Sequence, residues 1–576
     1  MEDKRNIIVA ILLSALILFG WPFIAERFFP SATPPAKTAT ANAANAGPAT
    51  PPPPAAPGTV PTLAETAATN RSIAAALAAA PRVLIETGTI KGSINLKGAR
   101  IDDLVLVRYK ETLAQNSQPV RLFAPGGTSK AYFAGTGWNG DGLGAPDANT
   151  LWQAPAGAKL TPATPVTITH DNGRGQLFSI TYSVDANYMF TVRQTVTNRG
   201  AAPVNVGQFA FISRNGTSPD ADTWTIHSGV MGVFNNAAAY INTDDINEAA
   251  NRAIANSTTG GWVGFTDHFW LGAIIPAQNV PVSSTIRHGA GEQYQADFST
   301  ANVVLPAGRA RTTQTQIFAG AKETSLLDDY TAGGITLLDR ATDWGWFIWF
   351  AKPIFYVLDW LFRQIGNFGF AIIALTVLIR ALMFPIAQKQ FASMAAMRVV
   401  QPKVKALQER YADDKPRLQQ EMMQLYKTEK INPLAGCLPI MIQIPVFYAL
   451  YKCLMLTVEM RHQPFLLWIK DLSAPDPLHI LNLFGLLPFT PPSFLSIGIL
   501  AVMLGGAMAL QFKLNPPPAD PVQGQVMAIM PWMLMFVMAP FAAGLLLYQI
   551  TSTLLSILQQ WGLYTRYPEM KQAAGK

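Results

Sequence analysis

The pattern of apolar and polar positions changes repeatedly along this chain. Ile7 to Ala25 is almost unbroken apolar sequence behind a short charged start that includes Lys4 and Arg5. A cleaved export signal has an apolar core of roughly 7–15 residues followed by small residues. This run is longer and leads into Glu26-Arg27-Phe28-Phe29-Pro30, so residues 1–29 are expected to remain a membrane anchor with a cytosolic N-terminus. Residues 30–80 are Ala, Pro and Thr with little else, a composition that buries no core and favours extended geometry, so they read as a tether. An Ala-rich stretch at 73–80 has room for a helical turn or two.

From 81 to 335 short alternating runs are broken by Gly, Asn and Asp. Val166-Thr167-Ile168-Thr169-His170, the turn residues Asp171-Asn172-Gly173, and Gln176 to Tyr182 make a hairpin pattern, and Tyr188 to Val196 reads as a further strand. Strands at such short intervals predict a large β-sandwich-like domain. A single anchor precedes it, which puts it outside the cytosol, and its size allows a core without disulfides. Asp102-Asp103 and Asp244-Asp245 read as turn residues.

After Leu338 the pattern turns apolar again. Trp344-Gly345-Trp346-Phe347-Ile348-Trp349-Phe350, ahead of Lys352-Pro353, suits the membrane–water boundary and predicts a helix lying in the membrane plane over about 340–352. Spans are expected over about 366–387, 434–457 and 494–512. Residues 526–563 are too long for one span of about 20 residues, and Pro540 and Gly544 split them into spans at about 526–540 and 543–563. Residues 388–432 read as a hairpin of two polar helices broken at Ala412-Asp413-Asp414-Lys415-Pro416. Lys389, Arg398, Lys403, Lys405, Arg410, Lys415, Arg417, Lys427 and Lys430 make it basic, hence cytosolic. With the tail 567–576 also cytosolic, the expected fold is a polytopic α-helical membrane protein of six transmembrane helices, 336–566 forming its core, plus an exported β domain.

Composition fits this division. The 576 residues are 49% hydrophobic and 14% charged, against roughly 25% charged in an ordinary soluble domain. The net charge of +7 falls largely on cytosolic loops and ends, so orientation accounts for it without nucleic acid. Both cysteines, Cys437 and Cys453, lie in the apolar half, which excludes a disulfide framework or a Cys-based zinc site. No Gly-x-x-x-x-Gly-Lys-Ser/Thr loop and no His-Glu-x-x-His pair occurs, so no nucleotide, metal or other cofactor is expected. His288 with Glu292 is a weak acid–base candidate in the β domain.

One charge stands where the membrane makes charge expensive. Arg380 lies inside Ala374-Leu375-Thr376-Val377-Leu378-Ile379-Arg380-Ala381-Leu382-Met383-Phe384, and a mid-membrane arginine costs at least about 2.5–3.5 kcal/mol on insertion scales. Either its side chain snorkels to the nearby cytosolic end, or it faces a water-filled, cytosol-facing cavity open to a guest. The other spans hold no Asp or Glu at similar depth, which favours the cavity. Thr376 sits one turn earlier on the same face. Gln443, Gln511, Tyr548 and Gln549 are further polar residues in the spans, suited either to bond a neighbouring helix or to line a shared groove. In the hairpin, Met394, Met397, Met422 and Met423 either offer an adaptable contact surface or fill the hairpin's own seam. The basic residues there, Arg398, Lys403 and Lys427 among them, suit lipid headgroups or ribosomal RNA.

The membrane half also carries a run of motifs. They are Thr376-Val377-Leu378-Ile379-Arg380 with Pro385, Met397-Arg398, Gln401-Pro402-Lys403, and Gln420-Glu421-Met422-Met423-x-Leu425-Tyr426-Lys427. Asn432-Pro433-Leu434-x-Gly436-Cys437-x-Pro439, Gln443-Ile444-Pro445-Val446-Phe447 and Val458-Glu459-x-Arg461 follow. Pro464-Phe465-x-x-Trp468-Ile469-x-Asp471-Leu472-Ser473, Asp476-Pro477 and Gly544-Leu545-x-Leu547-Tyr548 complete it. From about 340 to 566 this series resembles the YidC-type membrane-protein insertases, and the tethered exported domain resembles their Gram-negative branch, whose exported domain is a β-supersandwich. The resemblance implies an inner-membrane protein with both termini cytosolic and the large domain periplasmic. It implies a five-helix core around a hydrophilic groove at Arg380, open to cytosol and lipid and closed to the outside. The implied activity is energy-independent insertion and chaperoning of client transmembrane segments, alone or with the secretory translocon, and no enzymatic catalysis. Implied partners are nascent membrane-protein clients, the translocon, the ribosome and membrane lipids, with no specific DNA or RNA sequence. Where many relatives carry an aromatic after the tyrosine of the last span, this chain has Gln549. Two rival classes remain: a channel or transporter, and a membrane-tethered carbohydrate-active enzyme acting through the β domain.

Overall fold

The structure is a computed structural model describing residues 71–218, 226–289, 291–411, 414–429, 438–484, 486, 487, 489, 492, 496–514 and 521–566. The anchor 1–29, most of the tether and the tail 567–576 lie outside the described residues. The chain divides into two compact units that adjoin in sequence at Asp343 and Trp344.

The first unit is a sandwich of an 11-stranded and an 8-stranded sheet. The larger sheet runs from an edge strand at Ala253–Thr259 through Pro281–His288, Gln293–Ser299, Val204–Asn215 and Tyr132–Asn139 to a short edge at Lys159–Leu160. The smaller runs from Ala237–Ile241 to Val166–Asp171. Val166–Asp171 and Gln176–Val184 pair as the hairpin read from sequence, with Ile168 opposite Ile180 and Gly173 in the left-handed region (φ +67°) that the turn requires. Alternation buries Phe178, Ile180 and Tyr182 while their neighbours stay half-buried. The Tyr132 hydroxyl donates to the Phe265 carbonyl (3.2 Å), joining the two layers. The Ala-rich stretch forms a helix at Ile73–Ala78, capped by Ser72.

Three sequence readings of this unit change. Asp102 and Asp103 sit in the strand Arg100–Lys110 rather than in a turn, where arginines of the same sheet meet them: Asp102 pairs with Arg82, from two strands away, and Asp103 with Arg121 of an adjacent strand. Asp244 and Asp245 start the helix Thr243–Glu248, where the Asp245 carboxylate accepts from the Asn242 amide (2.9 Å) in a capping box. His288 stacks on Tyr294 and meets the Gly291 carbonyl, with no bond to the Glu292 side chain among the described residues.

Burial pushes the Asp297 carboxyl up to about 6, outweighing the attraction of Arg287, which it meets at 2.7 Å. The folded state therefore holds this proton more tightly than an unfolded chain, whose carboxyl titrates near 3.8. The β unit should lose stability as pH rises from about 4 to about 6, by up to about 3 kcal/mol. Asp297→Asn should remove that part of the slope, as denaturant titrations between about pH 4 and 7 would register. An unchanged slope would contradict the assignment.

Helices of the second unit are numbered here α1 (Ile348–Ile365), α2 (Phe368–Arg410), α3 (Lys415–Thr428), α4 (Leu438–Leu456), α5 (Ile499–Leu514), α6 (Pro521–Met538) and α7 (Ala543–Arg566). α1 replaces the helix expected at about 340–352. Trp344 and Phe347 are buried, Trp344 tilted against Phe355 and Phe347 edge-on to Tyr448, and Gly345–Phe347 forms only a 3-10 turn. α1 is amphipathic: Ala351, Phe355 and Leu358 are buried, whereas Trp349 (67%) and Trp360 (59%) are exposed. Gly366, at φ +78°, ends it.

Phe368–Gln390, the first 23 residues of α2, is long and apolar enough to cross a membrane. Gln443–Leu456, Ile499–Leu514 and Gly524–Met538 are shorter apolar helices. The last apolar run does break: α6 stops at Met538 and α7 restarts at Ala543. The hairpin differs in one respect, since its first helix is not separate. α2 continues unbroken through Pro385 and Pro402 to Arg410. α3 begins after Asp414, whose side chain accepts from the Arg417 amide (3.1 Å), with Pro416 in the first turn.

Candidate functional site

Polar residues of the bundle collect in the half that leads to the hairpin. The first turns of α2 pack Phe368, Ala371, Ile372 and Leu375 into a core with Val446, Leu450 and Leu454 of α4, Leu500 and Leu504 of α5, and Leu545, Leu546 and Leu547 of α7. Thr376 and Arg380 follow, Arg380 lying about 18 Å along the axis from Phe368. On α4 the order is reversed, Gln443 coming before Val446, Leu450 and Leu454. On α7, Tyr548, Ser552 and Ser556 come after the leucines. One half of the bundle is therefore mostly packed apolar side chain, with Lys452 of α4 buried within it, and the other carries Arg380, Gln443, Tyr548, Ser552 and Ser556.

Two hydrogen-bonded contacts tie the polar half together. Arg380 donates through Nε (3.1 Å) and Nη2 to the Oγ of Ser552, joining α2 to α7. Gln443 donates through Nε2 to the Tyr548 hydroxyl, joining α4 to α7. Tyr548, Ser552 and Ser556 recur every fourth residue and so share a face of α7. Arg380 is half-buried and has no carboxylate partner among the described residues. A guanidinium presents five N–H donors, so some remain for water or a guest after the two given to Ser552.

The opposite end is closed by the segment between α4 and α5. Asp476, only 1% exposed, accepts from the Trp468 indole (3.1 Å), the Leu478 amide (3.1 Å) and the Leu500 amide at the start of α5 (2.8 Å). The Leu472 carbonyl accepts from the Gly544 amide (2.9 Å) and the Ala474 carbonyl from the Ala543 amide (2.8 Å), which satisfies the start of α7. Gly544 allows this approach, since a Cβ there would sit 2.9 Å from Leu454 and 3.1 Å from the Leu472 oxygen. Phe465 lies over Gly369 and against Phe370 at the start of α2. One loop thus holds the first turns of three helices.

Comparison with known proteins gives this arrangement its family. Residues 82–357 match the model of the YidC periplasmic domain, and residues 360–571 that of the 60Kd inner membrane protein. A membrane protein insertase YidC of Zymomonas mobilis subsp. mobilis is 46% identical, with 99% of this chain and 98% of that one covered. The chain belongs to the YidC family. A YidC insertase of Nitrobacter hamburgensis is 44% identical over 97% of this chain and 95% of its own. The crystal structure of an active YidC insertase aligns at 18% identity with TM-score 0.37, covering 87% of this chain and 96% of that one.

In this YidC-family chain the candidate residues separate. Arg380, Gln443 and Tyr548 face one cluster, with Ser552 as the member the sequence reading passed over. Its signal was available: Ser552 lies four residues after Tyr548, hence on its face. Thr376 is buried one turn below Arg380, its hydroxyl given to the Ile372 carbonyl of its own helix (2.6 Å). Gln511 is half-buried near the end of α5, and Gln549 half-buried beside Tyr548; no hydrogen bond joins either side chain to the cluster among the described residues. In the hairpin, Met422 packs with Leu425 and Tyr426 on Val400 and Val404, so it fills the seam, whereas Met423 is 55% exposed. Lys403 pairs with Glu429 (2.6 Å), and Lys427 is exposed. Met394, Met397 and Arg398 belong to α2, their side chains lying outside the described residues.

Proposed function

We propose that this chain is an energy-independent membrane-protein insertase and chaperone. It takes client transmembrane segments from the cytosol into the inner membrane of a Gram-negative bacterium through a groove centred on Arg380. The observation that carries this reading is the uneven division of the bundle: Arg380, without a carboxylate partner among the described residues, lies where the cluster of polar side chains begins, and mostly apolar side chains pack the other half. Six spans with both termini cytosolic put the polar half and the basic hairpin on the cytosolic side. The polar, often acidic, translocated tail of a client enters the groove and meets the Arg380 guanidinium. Polar walls lower the cost of bringing its backbone to that depth, and the client's apolar helix then moves sideways into lipid. Each step is non-covalent. Thr376, Gln443, Gln511, Tyr548 and Gln549 are the proposed groove residues, and Met423, Lys427 and the polar end of α2 receive clients near the ribosome, beside the translocon or lipid surface.

A client arrested mid-insertion should cross-link from a photoreactive residue in place of Gln443, and far less from one in place of outward-facing Leu382. Equal cross-linking from both would contradict a groove path. A channel would need a route through the leucine core, so ion conductance of the reconstituted protein is expected to stay at background. Deletion of most of 82–335 is expected to leave insertion by the membrane unit measurable, which separates this reading from a carbohydrate-active one.

A further inference from the structure

Arg380 reaches across the bundle to a single hydroxyl, and that hydroxyl stands at the centre of the polar half. We infer that Ser552 is the positioning residue for Arg380: it holds the guanidinium against α7 at the base of the groove, so that the charge meets a client's tail instead of snorkelling toward the cytosolic end. The inference rests on the insertase reading above and adds to it a residue acting through Arg380.

The geometry argues for this role over simple helix packing. Both Nε and Nη2 converge on one Oγ, which fixes the plane of the guanidinium as well as its place. Arginine has the length to carry its charge several ångströms along the helix when nothing holds it, and in α2 the next turns lead to the polar hairpin. Ser552 lies on the face of α7 that also carries Tyr548, which Gln443 bonds from α4, so the anchor is itself held between three helices. Its backbone carbonyl separately accepts from Ser556 Oγ (2.9 Å), a contact that an alanine at 552 would keep. Alanine is also the best helix former. Ser552→Ala therefore removes the anchor while leaving the helix intact.

The test is a two-residue cycle in proteoliposomes containing the full chain, with a single-span client bearing an acidic translocated tail. Ser552→Ala should lower the initial insertion rate about tenfold, the scale of one lost hydrogen bond to a charged group. Ser552→Thr, which keeps the hydroxyl, should restore most of the rate. In an Arg380→Ala background, Ser552→Ala should cost nothing more. If Arg380→Ala slows insertion but Ser552→Ala does not, or if the two losses multiply, Ser552 does not act through Arg380 and the inference falls. If Arg380→Ala itself leaves the rate unchanged, it is the insertase reading at Arg380 that fails, and the inference with it.

Discussion

Arg380→Ala should slow insertion of clients with acidic translocated tails by about tenfold to a hundredfold, while clients with short neutral tails lose little. The size follows from removing a charge-assisted hydrogen bond, worth about 1.5–3 kcal/mol, at the one point where the polar half of the bundle meets its sealed half. Folding should survive, because the leucine core that holds α2, α4, α5 and α7 together lies below Arg380 and loses no contact. Arg380→Lys should keep more activity than alanine, since the charge remains, but less than arginine, since an ammonium cannot reproduce the fork that meets Ser552. Protease protection of a labelled client in vesicles measures all three. Full insertion of acidic-tailed clients by a well-folded alanine variant would remove Arg380 from the mechanism.

Asp476→Ala should have the largest effect on stability in the membrane unit. Its carboxylate satisfies three donors at a buried site, one of them an amide in the first turn of α5. An orphaned buried donor costs about 1–3 kcal/mol, and loss of a helix cap about 0.5–2 kcal/mol. A total near 3 kcal/mol is expected after relaxation, equivalent to about 6–12 °C of melting temperature for a unit of this size. Thermal unfolding in detergent checks it. Asp476→Asn should fall between, keeping one acceptor oxygen. A melting temperature within a degree of the parent would mean that the loop does not close this end of the bundle through Asp476.

Much of this was legible in the one-dimensional pattern, and what was not has physical causes. The break between α6 and α7 could be read because Pro540 and Gly544 interrupt an apolar run too long for one span. Arg380, Gln443 and Tyr548 could be read because polar letters are rare in such runs. The spacing of Ser552 from Tyr548 marks its face of α7 but not its partner, because a serine in a membrane helix ordinarily bonds its own backbone, as Ser556 does to the Ser552 carbonyl. Only the crossing of α2 and α7 brings it to Arg380. In the aromatic cluster at 344–350 the sequence does not say which rings pack and which face out: Trp344 and Phe347 are buried, whereas Trp349 is 67% exposed. The role of Met422 and Met423 depended on helix register, which puts one in the seam and the other on the surface. Asp102 and Asp103 resemble turn residues in sequence, and only the sheet brings Arg82 and Arg121 beside them.

An insertase of this kind works unaided and without nucleotide. Liposomes containing only the purified protein, given a small single-span client without ATP, GTP or a membrane potential, test it most directly. Protease-protected client is expected, in a yield that rises with the amount of protein and falls when Arg380 is replaced by alanine. A yield no higher than in empty liposomes would contradict it and leave the protein an accessory to another insertion machine.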